Sequence, residues 1–411
     1  MRTELKKLTA RAALDGMAKG SFTSTELARA LLDEIAAKNA ALGAYVFVDE
    51  AAALDMAAQA DARRNRGETA PLLGVPVALR DDISVKGQLN ECGSKILAGF
   101  RAMYDAAIVE RLKAAGAVLL GRLRMDEFGF GNDGAATAVS NRLAVVAIAT
   151  DTEGAQRRAA ARCGCVALRP TYGRVPRNGA LSVASSMDQA AVVAKDAPDA
   201  ALVLNVLAGR DVRDAMTLDA PPVDCAALGR GVKGLRIGIV GEWADAEVRA
   251  AAERLQAAGA VASEVNLPHA KVAEAVYAAC MSAEAAACLA RFDGVRNGFR
   301  AKEAKDVNDV YVMSRSQALG YEAKKWIILG TAMTSRDFSK DYFHALKVRS
   351  LIRGDFTAAF ETCGALLAPA TSGAFTVPAS LAGVCALSIA GIQLIGPALG
   401  EETILNTGSA L

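Results

Sequence analysis

Histidine is nearly missing from this chain, with only His269 and His344 among 411 residues. Ser-His-Asp catalysis needs an imidazole base, and Cys/His metal sites need several ligands, so both classes are disfavoured. Neither histidine has an obvious acidic or cysteine partner nearby in sequence, and each is expected to be a surface or capping residue. Paired cysteines are missing too. Of the eight, only Cys163 and Cys165 are close, and C-x-C alone is neither a zinc nor a redox spacing. Thiols scattered this way are expected to be reduced and mostly buried as small hydrophobes. A dominant charge is also lacking. The 47 basic and 45 acidic residues leave a net charge of +2, so no field draws the whole chain to nucleic acid, and no direct nucleic-acid binding is expected. No apolar run reaches the roughly 18–20 residues of a membrane span, and the opening MRTELKKLTARAALDGM has no apolar signal-peptide core. A cytoplasmic location is expected, or an organellar one if a transit peptide has been removed. Phosphate fingerprints are absent: VGEWADAEVR has a strand, a Gly and a helix but no G-x-G-x-x-G or Gly-Lys-Ser/Thr.

What is present is alternation. Apolar residues make up 52% of the chain and aromatics 5%, which favours a tightly layered, helix-rich protein. TSTELARALLDEIAAKNAAL reads as a helix with Thr23, Ser24 and Thr25 as candidate caps and Glu26 behind them. Buried strands are expected within 71–85, in AVLLGR, in 143–150, around 166–170 and in 232–243, with helices at 105–116, after 154, at 196–209 and at 246–260. Residues 270–365 read as mostly helical, and ALLAPA and ALSIAGIQLIG return to strand-like runs. The architecture this implies is α/β, a central mixed β-sheet flanked by helices. One domain is expected over 1–411, with 270–365 as a helical insertion.

Three stretches carry candidate chemistry. TDTEGAQRR (150–158) has the strand, sharp turn, helix layout that presents a nucleophile beside free N–H groups, yet the residue at its tip is Ala155. Asp81-Asp82 are adjacent carboxylates that would point to opposite faces unless the chain leaves the strand there. LRPTYGRVPRNGALSVASSMDQ (168–189) gathers Arg, Tyr, Gly and Ser in a Pro-punctuated loop, either a pocket-shaping surface loop or a solvated connector.

PLLGVPVALRDDISVKGQLNECGSKIL, DAAIVERLKAAGAVLLGRLRMDEF and the 168–189 segment together resemble the amidase signature family. ARFDGVRNGFRA, EAKKWIILGTAMTS, KVRSLIRGDFTAAF and FTVPASLAG narrow the resemblance to the glutaminase subunits of tRNA-dependent amidotransferases, over nearly the whole chain. The resemblance implies an amidase-signature fold, partly truncated, with no metal and no cofactor. It also implies a mechanism. A Lys after the first core strand deprotonates a relay Ser in a Gly/Ser-rich segment, and that Ser activates a nucleophilic Ser ending an Asp-Thr-Gly-Gly-Ser turn. Attack on an amide then gives an acyl-enzyme and ammonia.

Against that pattern the Lys falls at Arg80, whose guanidinium stays protonated, and the nucleophile falls at Ala155. The Gly/Ser-rich segment and the helix behind it read as missing, because Asn141-Arg142 runs almost directly into LAVVAIAT. In the oxyanion turn Thr152 and Gly154 keep the family's residues, but Glu153 stands where the family has Gly and brings a charge that opposes an oxyanion. The Arg and Asp that would hold glutamine fall at Trp326 and Gly373. The expectation is a non-catalytic structural or assembly component of a complex. An active glutaminase chain, or an amidase with chemistry moved to Ser182, Ser185 or Ser186 beside Arg80, are the alternatives. Losing a helix over the sheet near 143–150 and a hairpin near the C-terminus would expose apolar surface, to be covered by a partner chain. A tRNA-binding amidotransferase chain, or another large organellar or cytoplasmic assembly, is the expected partner, with Arg169, Arg174 and Arg177 available to it.

Overall fold

The computed structural model describes residues 2–131, 134–337 and 339–411. The strands are β1 (Tyr45–Val48), β2 (Pro76–Arg80), β3 (Val118–Leu123), β4 (Val146–Thr150), β5 (Val166–Arg169), β6 (Ala190–Ala194), β7 (Arg236–Val240), β8 (Val261–Val265), β9 (Ala365–Pro369), β10 (Ala386–Ile389) and β11 (Ile392–Ile395). The first helices are α1 (Arg2–Leu5), α2 (Ala10–Ala18), α3 (Ser24–Leu42), α4 (Glu50–Asn65), α5 (Ala107–Ala114), α6 (Ala135–Ser140), α7 (Ala155–Cys163) and α8 (Ala197–Leu207). They are followed by α9 (Ala246–Ala257), α10 (Ala273–Leu289), α11 (Val307–Ala318), α12 (Tyr321–Thr334), α13 (Ser339–Phe360), α14 (Gly373–Ala382) and α15 (Glu401–Gly408).

All eleven strands join one mixed sheet in the order β1-β3-β2-β4-β6-β5-β10-β11-β9-β7-β8. β2 runs parallel to both β3 and β4, β7 runs parallel to β8 and β9, and an antiparallel block from β4 through β6, β5, β10 and β11 to β9 joins the two parallel groups. β2 to β6 are buried at every position, which is why their sequences are mostly apolar rather than alternating, with Arg80, Arg122, Thr150 and Arg169 as buried polar exceptions. Edge strand β8 has no buried residue, only exposed and half-buried ones. The α3 start bears out the capping expectation. Thr23 accepts from the Glu26 N–H, and the Glu26 carboxylate accepts from the Thr23 N–H.

Several expectations need correction. A helix does precede β4: α6 is only six residues long, but it packs against β4 and α7, and residues 143–150 are buried throughout. Its Ala-rich sequence, AATAVS, carries little apolar periodicity, so it looked like a gap. No bare patch is left there. ALSIAGIQLIG is not a fused pair but a complete hairpin, β10 and β11 joined by Ala390 and Gly391 with φ 50° and 83°. Two left-handed residues make the tight turn that matches strand twist, but alanine is an uncommon choice at the first position. β1 and β6 were not anticipated, since YVFV and AAVVA are too short to show a period. Ala270–Leu289 is long and apolar enough to span a bilayer, with mean hydropathy 1.4, contrary to expectation, but half of it is buried inside the molecule. The 168–189 segment is no solvated connector: Arg169 and Arg174 are buried, donating respectively to Met187 O at 2.8 Å and to Glu401 Oε2 at 2.6 Å. Arg177 is bound to Asp214 at 2.9 Å. None of the three is a free docking residue.

Candidate active site

Parallel neighbours β2 and β4 (Leu79 opposite Ile148) end at the same edge of the sheet, so their last residues, Arg80 and Thr150, emerge together. The chain leaves β2 at Arg80, and the two following carboxylates separate. Asp82 turns toward Arg80, accepting from Nε at 3.0 Å and Nη2 at 2.5 Å, and toward Thr150, whose hydroxyl donates at 2.7 Å. Arg80 also donates to the Thr150 hydroxyl, closing a three-membered ring of bonds. Asp81 turns to the other side, accepting from the Cys92 N–H at 2.8 Å and lying 3.5 Å from Arg122. Burial alone would raise the Asp82 carboxyl, but the Arg80 charge and hydrogen bonds outweigh it and hold the group below its usual range. Asp81 is left with burial less fully offset and is pushed up to about 6.

After β4 the chain turns through Asp151–Gly154 into α7. Gly154 has φ 100°, and a Cβ there would sit 2.3 Å from the Thr376 Cβ, so both the dihedral and the space demand glycine. The Gly154 N–H donates to Asp151 Oδ1 at 2.5 Å. Asp151 is fully buried against Arg157, Nε to Oδ2 at 2.9 Å. The Arg157 head also donates to Thr376 O and Gln393 Oε1, both at 3.0 Å, and to Ser380 Oγ at 2.7 Å. One guanidinium therefore ties α7 to α14 and β11. Glu153 is held by Arg158, which also donates to the Glu153 carbonyl at 3.1 Å and Thr376 Oγ1 at 2.9 Å. The carboxylate expected to face an oxyanion is engaged by a cation instead. Ala155 opens α7 with a methyl group.

Arg80, Asp82, Thr150, Thr152, Glu153, Ala155 and Asp188 line a cavity of about 60 Å³ with a largely apolar opposite wall. That wall comes from Phe128 and Phe130 after β3, Tyr277 and Met281 on α10, and Trp326 on α12. Tyr277 and Phe130 flank Trp326 with ring centroids at 6.4 and 6.2 Å. Burial pushes the Tyr277 phenol well up, so it stays neutral. Small-molecule pockets commonly run to about 300–1,000 Å³, and this one has room for only a few waters. Of the sequence-predicted residues, Arg80, Ala155, Thr152, Glu153 and Trp326 meet here, while Gly154 lies in the turn just behind. Gly373 is not on the lining. It starts α14, where the Glu274 carboxylate takes the space beside it, 2.6 Å from where a Cβ would stand.

The serine-rich loop is anchored by carboxylates. Ser182 donates to Asp188 Oδ2 at 2.9 Å and Ser186 to Glu284 Oε1 at 2.5 Å, while Ser185 sits 3.0 Å from Ser182. None of the three lines the cavity. Thr152 does, with its hydroxyl on Asp188 Oδ1 at 2.6 Å. Sequence reasoning missed Asp188, which also accepts from the Val183 and Ala184 N–H groups at 2.8 Å and so organises the loop. It also missed that His269 has an acidic partner, Asp355, at 2.8 Å from Nδ1. Their separation of 86 positions hid the pair in sequence. All eight cysteines are unpaired; Cys163 is exposed, contrary to the buried expectation, because it ends α7 at the surface. Among the described residues no cluster suits a metal ion. Asn132 and Asp133, just ahead of α6 where the Gly/Ser-rich segment is expected, lie outside the described residues.

Comparison with known proteins adds the lineage. The glutamyl-tRNA(Gln) amidotransferase A subunit of Trichlorobacter lovleyi is 40% identical over 446 aligned positions, covering 93% of this chain and 92% of the relative. The Geobacter sulfurreducens protein of the same name is 40% identical, covering 94% and 90%. An alignment of 446 positions exceeds the 411 residues of this chain, so segments of the relative have no counterpart here. The native peptide amidase of Stenotrophomonas maltophilia superposes with TM-score 0.82 at 27% identity, covering 98% of this chain and 96% of that one. A chain from a vestigial protein complex, studied for the evolutionary origins of an s-triazine catabolic enzyme, gives TM-score 0.83 at 26% identity, covering 98% of both. A family model described as Amidase matches residues 26–135 and 133–386, spanning every strand of the sheet from β1 to β9. This chain belongs to the amidase family.

Proposed function

We propose that the protein is a relative of the amidotransferase A chains that no longer hydrolyses amides and serves as a structural component of a larger protein complex, with the cytoplasm as its compartment. One observation carries this reading. Where β2 and β4 end, the base position holds Arg80, closed onto Asp82 and Thr150, and the nucleophile position holds the methyl of Ala155. A guanidinium in a buried ion pair takes no proton at neutral pH, and a methyl group attacks nothing. The walls agree. Trp326 packs into the aromatic face where the resemblance expects a glutamine-binding Arg, and Gly373 lacks the carboxylate expected of it. Chemistry relocated to Ser182, Ser185 or Ser186 finds no support, since all three lie off the cavity.

The relatives are named as subunits, which favours a partner chain for this one too. The surface awaiting it is not near β4. Large apolar side chains stand exposed on α11, α12 and α13, including Val312, Tyr321, Ile328 and Phe343. The alternative is an active glutaminase chain like those its relatives' name describes. Ammonia release from glutamine and asparagine separates the two. The purified chain, alone and in whatever complex it is isolated with, should release none above the control without protein. A protein-dependent signal that survives repurification refutes the non-catalytic reading.

A further inference from the structure

Leu181, on the wall of the Arg80 cavity, also lines a second and much larger hollow of about 470 Å³. Phe292 belongs to this second hollow and stacks on Phe128 of the first, with centroids 5.5 Å apart and planes 8° from parallel. The hollow therefore adjoins the Arg80 cavity across a wall of packed side chains, and its volume falls in the range of small-molecule sites.

Its walls are two loops, 97–104 and 291–298, and both are fixed by backbone bonds. Asn90 N–H donates to Phe100 O at 2.9 Å and Ala102 N–H to Gln88 O at 3.0 Å, bracketing the Leu89–Arg101 bridge. The second loop is tied to the first by Phe299 N–H on Ile96 O at 2.7 Å. Beside that bond Gly298 has φ 89°, and a Cβ would sit 2.7 Å from the same Ile96 oxygen. The floor is polar and internally bonded, with Ser84 Oγ donating to Asn90 Oδ1 at 2.9 Å. A hollow framed this way is preformed, so a ligand would not have to order its walls.

The side chains on that frame are unusual for a surface. Phe100, Met103 and Tyr104 are 42%, 76% and 53% exposed, a concave apolar patch rather than scattered single residues. Facing the same hollow are Arg291 and Arg296. Arg291 donates to the Cys288 carbonyl at 2.6 Å and lies 5.7 Å over the Phe292 ring, and neither guanidinium has a carboxylate partner among the described residues. The acid on their own loop, Asp293, is already occupied by the Val295 and Arg296 N–H groups at 2.8 and 3.0 Å, and those bonds hold its carboxyl below the usual range. Guanidinium groups without carboxylate partners beside an apolar wall match an anionic head on an apolar body.

We propose that this hollow binds a small organic acid with an aromatic or branched apolar body, its carboxylate taken by Arg296 and Arg291 and its body lying against Phe100, Met103 and Tyr104. An inorganic anion would leave the apolar wall wet, and an apolar amine would meet two cations. The inference does not depend on whether the Arg80 cavity is catalytic.

The test is titration of the full chain with 4-phenylbutyrate, followed calorimetrically and by ligand-observed NMR, with 4-phenylbutylamine and inorganic phosphate as controls. The acid should bind at submillimolar concentration, and both controls at least about tenfold more weakly. Arg296→Gln and Met103→Glu should each weaken the acid about five- to tenfold. Both side chains are exposed and hold no bond in the fold, so neither variant should alter the thermal midpoint. Trp326→Leu, in the other cavity, should leave acid binding unchanged. Equal binding of acid and amine, phosphate as good as the acid, no binding of the acid, or loss on Trp326→Leu with Arg296→Gln neutral would each overturn the proposal.

Discussion

Arg157→Met tests how the turn before α7 is held. Arg157 and Asp151 are each fully buried, so the variant leaves a carboxylate in the interior with the Gly154 N–H as its remaining close donor. Removing one partner of a buried pair costs about 3–5 kcal/mol. Thr376 O, Gln393 Oε1 and Ser380 Oγ lose a donor as well, and an orphaned buried acceptor adds about 1 kcal/mol or more. Gln393 keeps its own bonds and Ser380 can reorient, so a total near 4–6 kcal/mol is expected. The pH dependence gives the mechanism. Burial would raise the Asp151 carboxyl, but Arg157 first and then Arg169 hold it below its usual value. In the wild type that stabilisation is complete above the unfolded value near 4 and is lost only as pH falls through the lower folded value. In the variant the same carboxyl should titrate above its usual value, so protonation relieves the unpaired charge. The gap between the two proteins should therefore be widest at pH 7 and should narrow toward pH 4. Denaturant midpoints at several pH values, with slopes checked for constancy, measure it. Arg158→Met is the control, since its partner Glu153 is 35% exposed and the loss should be about 1 kcal/mol. A loss below about 1 kcal/mol for Arg157→Met at pH 7, or a gap that widens on acidification, would refute the reasoning.

Other outcomes follow from the same contacts. Arg80→Lys with Ala155→Ser should not yield measurable ammonia from glutamine, because the nearby hydroxyls of Thr150 and Thr152 are already committed to Asp82 and Asp188 rather than to position 155; hydrolysis by the double variant would show that one of them, or another group, serves as relay. Asp81, with its folded value pushed up to about 6, makes the native state less stable as pH rises from about 4 to 6, since the unfolded chain has already given up that proton. Asp81→Asn should flatten that decline in a pH series of unfolding midpoints, and an unchanged slope would count against it. Gly154→Ala should cost at least about 2 kcal/mol, from a left-handed dihedral and contact with Thr376, read as a lowered denaturation midpoint. Tyr321→Lys with Ile328→Lys should release any co-purifying chain while leaving the fold intact, as native mass measurement would report; a complex that survives the double variant places the partner elsewhere.

Much of the sheet is readable from residues alone because buried strands such as 118–123 and 146–150 are predominantly apolar, and the α3 start carries its own capping chemistry. What escapes is whatever depends on partners distant in the chain. Asp151–Arg157 lies within one turn and helix, but the other bonds of Arg157 reach residues 376–393. The closure of Arg80 onto Thr150 needs β2 and β4 to be neighbours, which no local pattern states. Arg169, Arg174 and Arg177 looked like surface charge because arginine usually is, and only the folded chain supplies the carbonyls and carboxylates that take them inside. α6 was misjudged for the opposite reason: its helix is secured by burial on β4 rather than by any signal of its own.

The strand order also sets a timetable. β5 has β6 on one side, but its other edge pairs with β10, Arg169 opposite Ala386. During synthesis roughly two hundred residues must follow before that edge can close, about 10–40 s at ordinary elongation rates. Through that interval the nascent chain presents an apolar, unpaired strand edge, the kind of template on which chains aggregate. The last strands made, β10 and β11, are the ones inserted between the two groups, so a ribosome stalled between β9 and β11 leaves two half-sheets with no seam between them.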